Sequence, residues 1–199
     1  MTGWDGRRQA AQERFEAADE PLSRATAAGA AGLAELMLGG DARTWLVRAA
    51  EEYRASWGEG AWGRPIGAIK SRVLAGDWEG AADDARWALE LGAAETDTAI
   101  GRYAAALACA VLGKWSDVRL HADFARTHET FPNEVADALA FISAEDVVGY
   151  VEAVEDVLQS FESRDAYLED MPVADTVLVL QALAAKRNMA AELDSPLLP

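Results

Sequence analysis

The chain has 199 residues, of which 51% are apolar and 26% are charged, so its composition is globular and too apolar for intrinsic disorder. Thirty-four acidic residues against eighteen basic ones give a net charge of −16. A surface this negative repels nucleic-acid phosphates and anionic lipid headgroups, and no basic run is longer than two residues, such as Arg7-Arg8. We therefore expect neither nucleic-acid nor membrane binding. The length predicts one domain, covering residues 1–199.

The acidity has two interpretations. Complementary charge raises association rates, which favours a cationic partner. Solubility, or adaptation to high salt, explains the same charge without a partner. Cys109 is the only cysteine, which excludes an intramolecular disulfide and a thiolate zinc cluster, and its alanine-rich surroundings predict a buried thiol. The chain shows neither a signal-peptide pattern nor a long uncharged apolar stretch, so we predict a cytoplasmic protein.

Apolar residues recur with helical spacing almost throughout, and the 43 alanines favour helix. No alternating apolar and polar run bounded by turn signals is present, so we predict an all-α fold without strands. Breakers and caps divide the pattern into ten helices. In chain order these are 5–19, 22–38, 42–56, 65–75, 78–91, 97–112, 115–128, 133–142, 146–163 and 173–187.

The turns between helices repeat. Gly39, Gly76 and Gly113 are each 37 residues apart, and Glu145 follows 32 residues later at the equivalent position. A period of two helices and a short turn is typical of an α-solenoid, in which neighbouring units stack to bury their apolar faces. The Gly-x-Trp opening of the second helix resembles a tetratricopeptide repeat over about residues 23–164. We predict antiparallel hairpins in a short tetratricopeptide-like superhelix, capped by the last helix and tail.

One loop, residues 56–65, has unusual chemistry for a turn. It carries Trp57, Trp62 and Arg64 among three glycines, and tryptophan and arginine on loops often supply binding energy at interfaces. We predict that these three residues bind a partner. The structural alternative is that Trp57 closes the preceding helix while Arg64 pairs with an acid such as Glu59. The loop matches Gly-x-Gly-x-x-Gly but follows a helix, so it does not predict a dinucleotide site.

The other tryptophans and the histidines point to structure rather than chemistry. Four tryptophans at helix-packing positions are predicted in the core: Trp45, Trp78, Trp87 and Trp115. His121 and His128 are two helical turns apart, roughly 10–11 Å, which is too far for one metal without a third element. Carboxylate pairs are too common in so acidic a chain to indicate catalysis. We predict no metal, no cofactor and no catalytic residue.

The C-terminal sequence carries a family resemblance. An aliphatic helix, Asp175-Thr176-Val177-Leu178-Val179-Leu180-Gln181-Ala182-Leu183-Ala184, precedes the tail Ser195-Pro196-Leu197-Leu198-Pro199. Together with the helical layout, this ending resembles the immunity protein 49 family, whose members are helical bacterial proteins thought to neutralise a co-encoded polymorphic toxin. The resemblance implies inhibition by stoichiometric binding, and an acidic chain would suit a basic nuclease toxin.

These observations together predict a non-enzymatic protein-binding module, most specifically an immunity protein that neutralises a basic toxin. A helical-repeat scaffold or regulatory adaptor is the alternative within the binding class. A small-molecule enzyme with its site between helices is the alternative from a different class.

Overall fold

The computed structural model describes residues 3–199, which form ten α-helices, one short 3-10 helix and no strand. The helices are α1 (Trp4–Ala17), α2 (Pro21–Leu38), α3 (Ala42–Ala55), α4 (Gly63–Leu74), α5 (Trp78–Glu90), α6 (Ala99–Val111), α7 (Trp115–Arg126), α8 (Asn133–Ala144), α9 (Val147–Glu162) and α10 (Asp175–Ala185), with the 3-10 helix at Leu168–Asp170. The predicted all-α fold is confirmed, and each predicted helix boundary lies within two residues of the observed one.

Each of helices α1 to α9 packs against the next helix in the chain, as antiparallel hairpins require. The first helices of successive hairpins also touch, since α6 contacts both α4 and α8. Each of the four hairpin turns has a residue in the left-handed backbone conformation directly after the first helix of the hairpin. These residues are Gly39, Gly76, Gly113 and Glu145, with φ between 57° and 71°. The spacing seen in the sequence therefore reflects one repeated turn geometry.

The starts of three helices are fixed by a side-chain cap of the same form. Asp77 accepts a hydrogen bond from the backbone N–H of Gly80, and Asp146 accepts one from that of Gly149. Thr98 caps α6 in the same way. Such caps satisfy N–H groups that the helix itself leaves without partners.

Alanine explains how closely the helices approach. Helix α6 has ten buried residues among its thirteen, and seven of the ten are alanine or glycine, besides one cysteine, the predicted buried Cys109. It is covered by α4, α5, α7 and α8. Small side chains let helix backbones come close, so α6 forms the centre of the main core.

Helix α10 contacts both helices of the last hairpin, α8 and α9, as the predicted cap would. It also packs against α4, which lies two hairpins earlier in the chain. Its apolar side chains are buried almost all round, including Val177, Leu180 and Leu183. The helix therefore closes the face formed by the first helices of the hairpins.

The tail after α10 is tied back to the body. The backbone N–H of Ala174 donates to the carbonyl of Leu197 at 3.0 Å, and the Gln181 side chain makes two hydrogen bonds with the backbone of Ala191. No helix among residues 3–199 is long and apolar enough to cross a membrane.

Candidate functional site

The tryptophan loop is folded onto the core. Trp62 is only 8% exposed and belongs to the main hydrophobic cluster, whereas Trp57 is half-buried against it. Their ring centroids are 5.3 Å apart, and Trp87 lies 5.9 Å from Trp57. Gly101 on α6 leaves room for the Trp62 indole, because a Cβ at position 101 would lie 3.0 Å from Trp62 Nε1. The loop thus anchors α3 and α4 to α6.

Arg64 does not form the ion pair that the structural alternative requires. No carboxylate within residues 3–199 forms a salt bridge with it, Glu59 included, and its buried Nε has no hydrogen-bond partner there. Arg64 and Trp57 retain accessible surface, whereas little of Trp62 is accessible. The binding role of the three residues stays a prediction, and the geometry gives Trp62 a packing role.

The four tryptophans predicted in the core are half-buried instead. Each has a cation over its ring: Arg48 on Trp45, Lys186 on Trp78, Arg54 on Trp87 and Arg187 on Trp115. Each indole ring makes two kinds of contact. The negative face of its π system attracts the cation, and the rest of the ring packs on apolar side chains. Lys186 and Arg187 follow α10 directly, so Trp78 and Trp115 help to hold this closing helix.

The two histidines are in separate environments. His121 is buried, and its Nδ1 lies 3.3 Å from a terminal nitrogen of Arg102. Burial, and then the Arg102 charge, lower the pKa of His121. His128 packs on the Phe124 ring at 5.1 Å. Among residues 3–199, no group of three or more histidine, cysteine or acidic side chains could hold a metal ion.

The acidic charge is concentrated in one part of the chain. Residues 129–170 contain twelve acidic residues and one basic residue, Arg164, and so carry −11 of the net charge of −16 in about a fifth of the length. This segment comprises α8, α9 and the connection towards α10. The net charge of the whole chain does not reveal this concentration, although the distribution of acidic residues along the sequence does.

Helix α9 displays the largest share of this charge, on a face that we call the acidic face: Glu152, Glu155, Asp156 and Gln159. All four are exposed, and none of the three carboxylates forms a salt bridge within residues 3–199. The arginines of the other helices are largely paired, as in Arg54–Asp84 at 2.8 Å. A shallow cleft of about 510 Å³ runs along this face between α8 and α9 and is lined by Glu134, Asp137 and Asp156.

Two deeper cavities lie on either side of the α9–α10 connection, and both are lined by Phe161, Arg164 and Thr176. The first, the polar cavity, has about 370 Å³ between α2, α3 and α4. The second, the aromatic cavity, has about 570 Å³ between α6, α8 and α9.

The polar cavity contains charged groups that already satisfy one another. Lys70 Nζ lies 2.5 Å from a carboxylate oxygen of Asp175 and donates to the Thr176 hydroxyl at 3.0 Å. Burial, followed by the Asp175 and Glu169 charges, raises the pKa of Tyr53 to about 12. A tyrosine held neutral and a lysine held in an ion pair are poorly suited to proton transfer or nucleophilic attack near neutral pH.

Comparison of the chain with protein-family models, with curated proteins and with solved structures finds no match.

Proposed function

We propose that this chain is a non-enzymatic protein-binding module whose partner is a basic protein, most specifically a toxin that it neutralises by direct binding. The class of partner is argued from charge, and the toxin from the resemblance of the C-terminal sequence to immunity proteins. A scaffold or regulatory role would use the same surface with a harmless partner.

The observation that carries the proposal is the acidic face of α9. Its three carboxylates form no salt bridge with any cation of residues 3–199, and they repel one another. This repulsion raises the free energy of the folded chain, and a cationic partner would remove it. Rim charges of this kind steer a partner and raise its association rate, with a strong dependence on salt. Solubility alone would not require the charge to be concentrated in one hairpin.

The test captures the partner with tagged full-length chain from extracts of cells that naturally make it. The comparison variant carries Glu152→Gln, Glu155→Gln and Asp156→Asn together. We expect the wild-type chain to capture one basic protein at near-equal stoichiometry and to release it at high salt. We expect the association rate of this protein with the variant, measured by surface plasmon resonance, to be at least tenfold lower.

The matched control carries the same charge change at the C-terminal end of α1 and just beyond it, as Glu13→Gln, Glu16→Gln and Asp19→Asn. We expect its association rate to stay within about twofold of the wild type, because these residues lie outside the acidic segment 129–170. Equal losses in both variants would show that only total charge matters, which contradicts a role for the acidic face.

Neutralisation is tested by expressing the captured protein in a host that lacks it. We expect arrested growth, restored by co-expression of the wild-type chain and poorly restored by the α9 variant. Undisturbed growth with the captured protein alone would contradict the toxin assignment and support a scaffold.

A further inference from the structure

We propose that the aromatic cavity receives one aromatic side chain with an N–H or O–H group, tryptophan or tyrosine, from a basic segment of the partner. The inference rests on the proposed function and extends it, since it names the anchor as well as the charge of the bound segment.

The walls of the cavity suit a planar apolar group. Tyr103 and Phe131 pack with ring centroids 5.3 Å apart, and Val157 and Phe161 lie opposite on α9. The Arg164 guanidinium lies 3.6 Å over the Phe161 ring at the mouth, where a further ring could stack on it. A volume of about 570 Å³ is within the range of sites that accept small organic groups.

The Tyr103 hydroxyl supplies the polar contact. Tyr103 is only 7% exposed, and none of the hydrogen bonds within residues 3–199 involves its hydroxyl. Tyr103 lines the cavity, and its hydroxyl is not among the buried polar atoms that lack a partner, so the hydroxyl is accessible to a group that enters the cavity. A ligand with an N–H or O–H group inside the cavity would provide a hydrogen-bond partner, which an aliphatic anchor could not.

The cavity and the acidic cleft form one continuous surface, because Glu134 and Ser160 line both. A segment that places a ring in the cavity would therefore lay its neighbouring residues along Glu134 of α8 and the carboxylates of α9, whereas Asp137 is already paired with Arg126 at 2.6 Å. Lysine and arginine fit there, whereas a second copy of this chain, with its net charge of −16, would be repelled. Aromatic anchors in pockets are typical hot spots of interfaces.

The experiment uses two seven-residue peptides as probes, each with four lysines, one with a central tryptophan and the other with a central alanine. Binding to the full chain is followed by NMR titration. We expect the tryptophan peptide to bind at least tenfold more tightly, with the largest shifts in amides around residues 97–103, 128–135 and 157–164.

Two variants locate the anchor. Ile100→Trp places an indole in the lining of the aromatic cavity at a residue that is not part of the acidic cleft, and we expect it to reduce the tenfold preference to below about twofold without weakening the alanine peptide. Tyr103→Phe removes only the hydroxyl, and we expect the tryptophan peptide to weaken by about two- to tenfold, the range of one hydrogen bond. Unchanged circular dichroism and melting temperature establish that each variant is folded.

Equal affinities of the two peptides for the wild type, or an undiminished preference in Ile100→Trp, would overturn the inference, as would the absence of binding by both peptides. The proposed function is judged separately. If both peptides bind equally and both weaken with the α9 variant, the acidic face is supported and the anchor is refuted.

Discussion

Trp62 and Arg64 are two residues apart in the same loop, yet the structure gives them different surroundings. Trp62 is packed in the core against Trp57 and α6, whereas Arg64 is half-exposed and forms no salt bridge within residues 3–199. Their substitutions should therefore affect different properties.

We expect Trp62→Ala to lower the free energy of unfolding by about 3–5 kcal/mol, because it leaves a cavity in the core. Arg64→Ala should change it by less than about 1 kcal/mol, because Arg64 is half-buried and forms no salt bridge within residues 3–199. Chemical denaturation measures both. If Trp62→Ala kept wild-type stability and lost the captured partner, the loop would be a binding surface as the sequence predicts.

His121 should make stability depend on pH. Arginine can only donate hydrogen bonds, so the Nδ1 that faces Arg102 must be the unprotonated nitrogen. The pKa of His121 is lowered in the folded state, so the unfolded chain binds the proton more readily. Stability is therefore fully present above the unfolded pKa of about 6.5 and is lost as pH falls below it.

We expect His121→Gln to reduce the fall in melting temperature between pH 7.5 and 5.5. His128→Gln is the control, because His128 is half-buried against Phe124 and has no arginine at its ring nitrogen. An identical pH dependence in wild type and His121→Gln would contradict the role of Arg102.

At the scale of elements, the hairpin turns depend on a left-handed residue. Gly113 has φ of 71° and nothing within 4 Å of the position of a Cβ, so Gly113→Ala adds backbone strain without a clash. We expect a loss of about 1–2 kcal/mol in the free energy of unfolding.

Gly58→Ala is the matched control for this turn. Gly58 has equally open space but lacks a positive φ. We expect this variant to match the wild type or to gain up to about 1 kcal/mol, because alanine restricts the unfolded chain. Equal losses at both positions would show that the left-handed geometry is not what Gly113 provides.

The boundaries of the helices could be predicted because they depend on local signals, such as the turn glycines and the caps at Asp77 and Asp146. The position of α10 could not, since its contacts join residues far apart in sequence, as Lys70 and Asp175 show. The aromatic cavity was missed for the same reason, because Tyr103 and Phe161 meet only in the folded chain. The glycines on either side of Trp62 predict a flexible, exposed loop. Trp62 is buried instead, because Gly101 on α6 leaves space for its indole ring.

At the scale of the whole molecule, α10 joins hairpins that would otherwise contact only their neighbours. We expect Leu180→Ala to lower the free energy of unfolding by about 2–5 kcal/mol, because this side chain is fully buried. Leu120→Ala, at a residue that is 63% exposed on α7, should have little effect.

Unfolding should also remain one transition in wild type and in Leu180→Ala, with circular dichroism and tryptophan fluorescence changing together. Separate transitions for the two probes would show that the hairpins unfold independently of α10, as in an open repeat array.

The placement of α10 has a consequence for the chain as it is synthesised. Domains tend to fold from the N-terminus as they leave the ribosome, and a simple repeat array can add one hairpin at a time. Here the apolar faces of α4 and α8 stay uncovered until residues 175–185 emerge, about a hundred residues after α4. During that interval the nascent chain exposes an apolar surface. We therefore expect chaperones that hold unfolded chains to bind it until α10 has been synthesised.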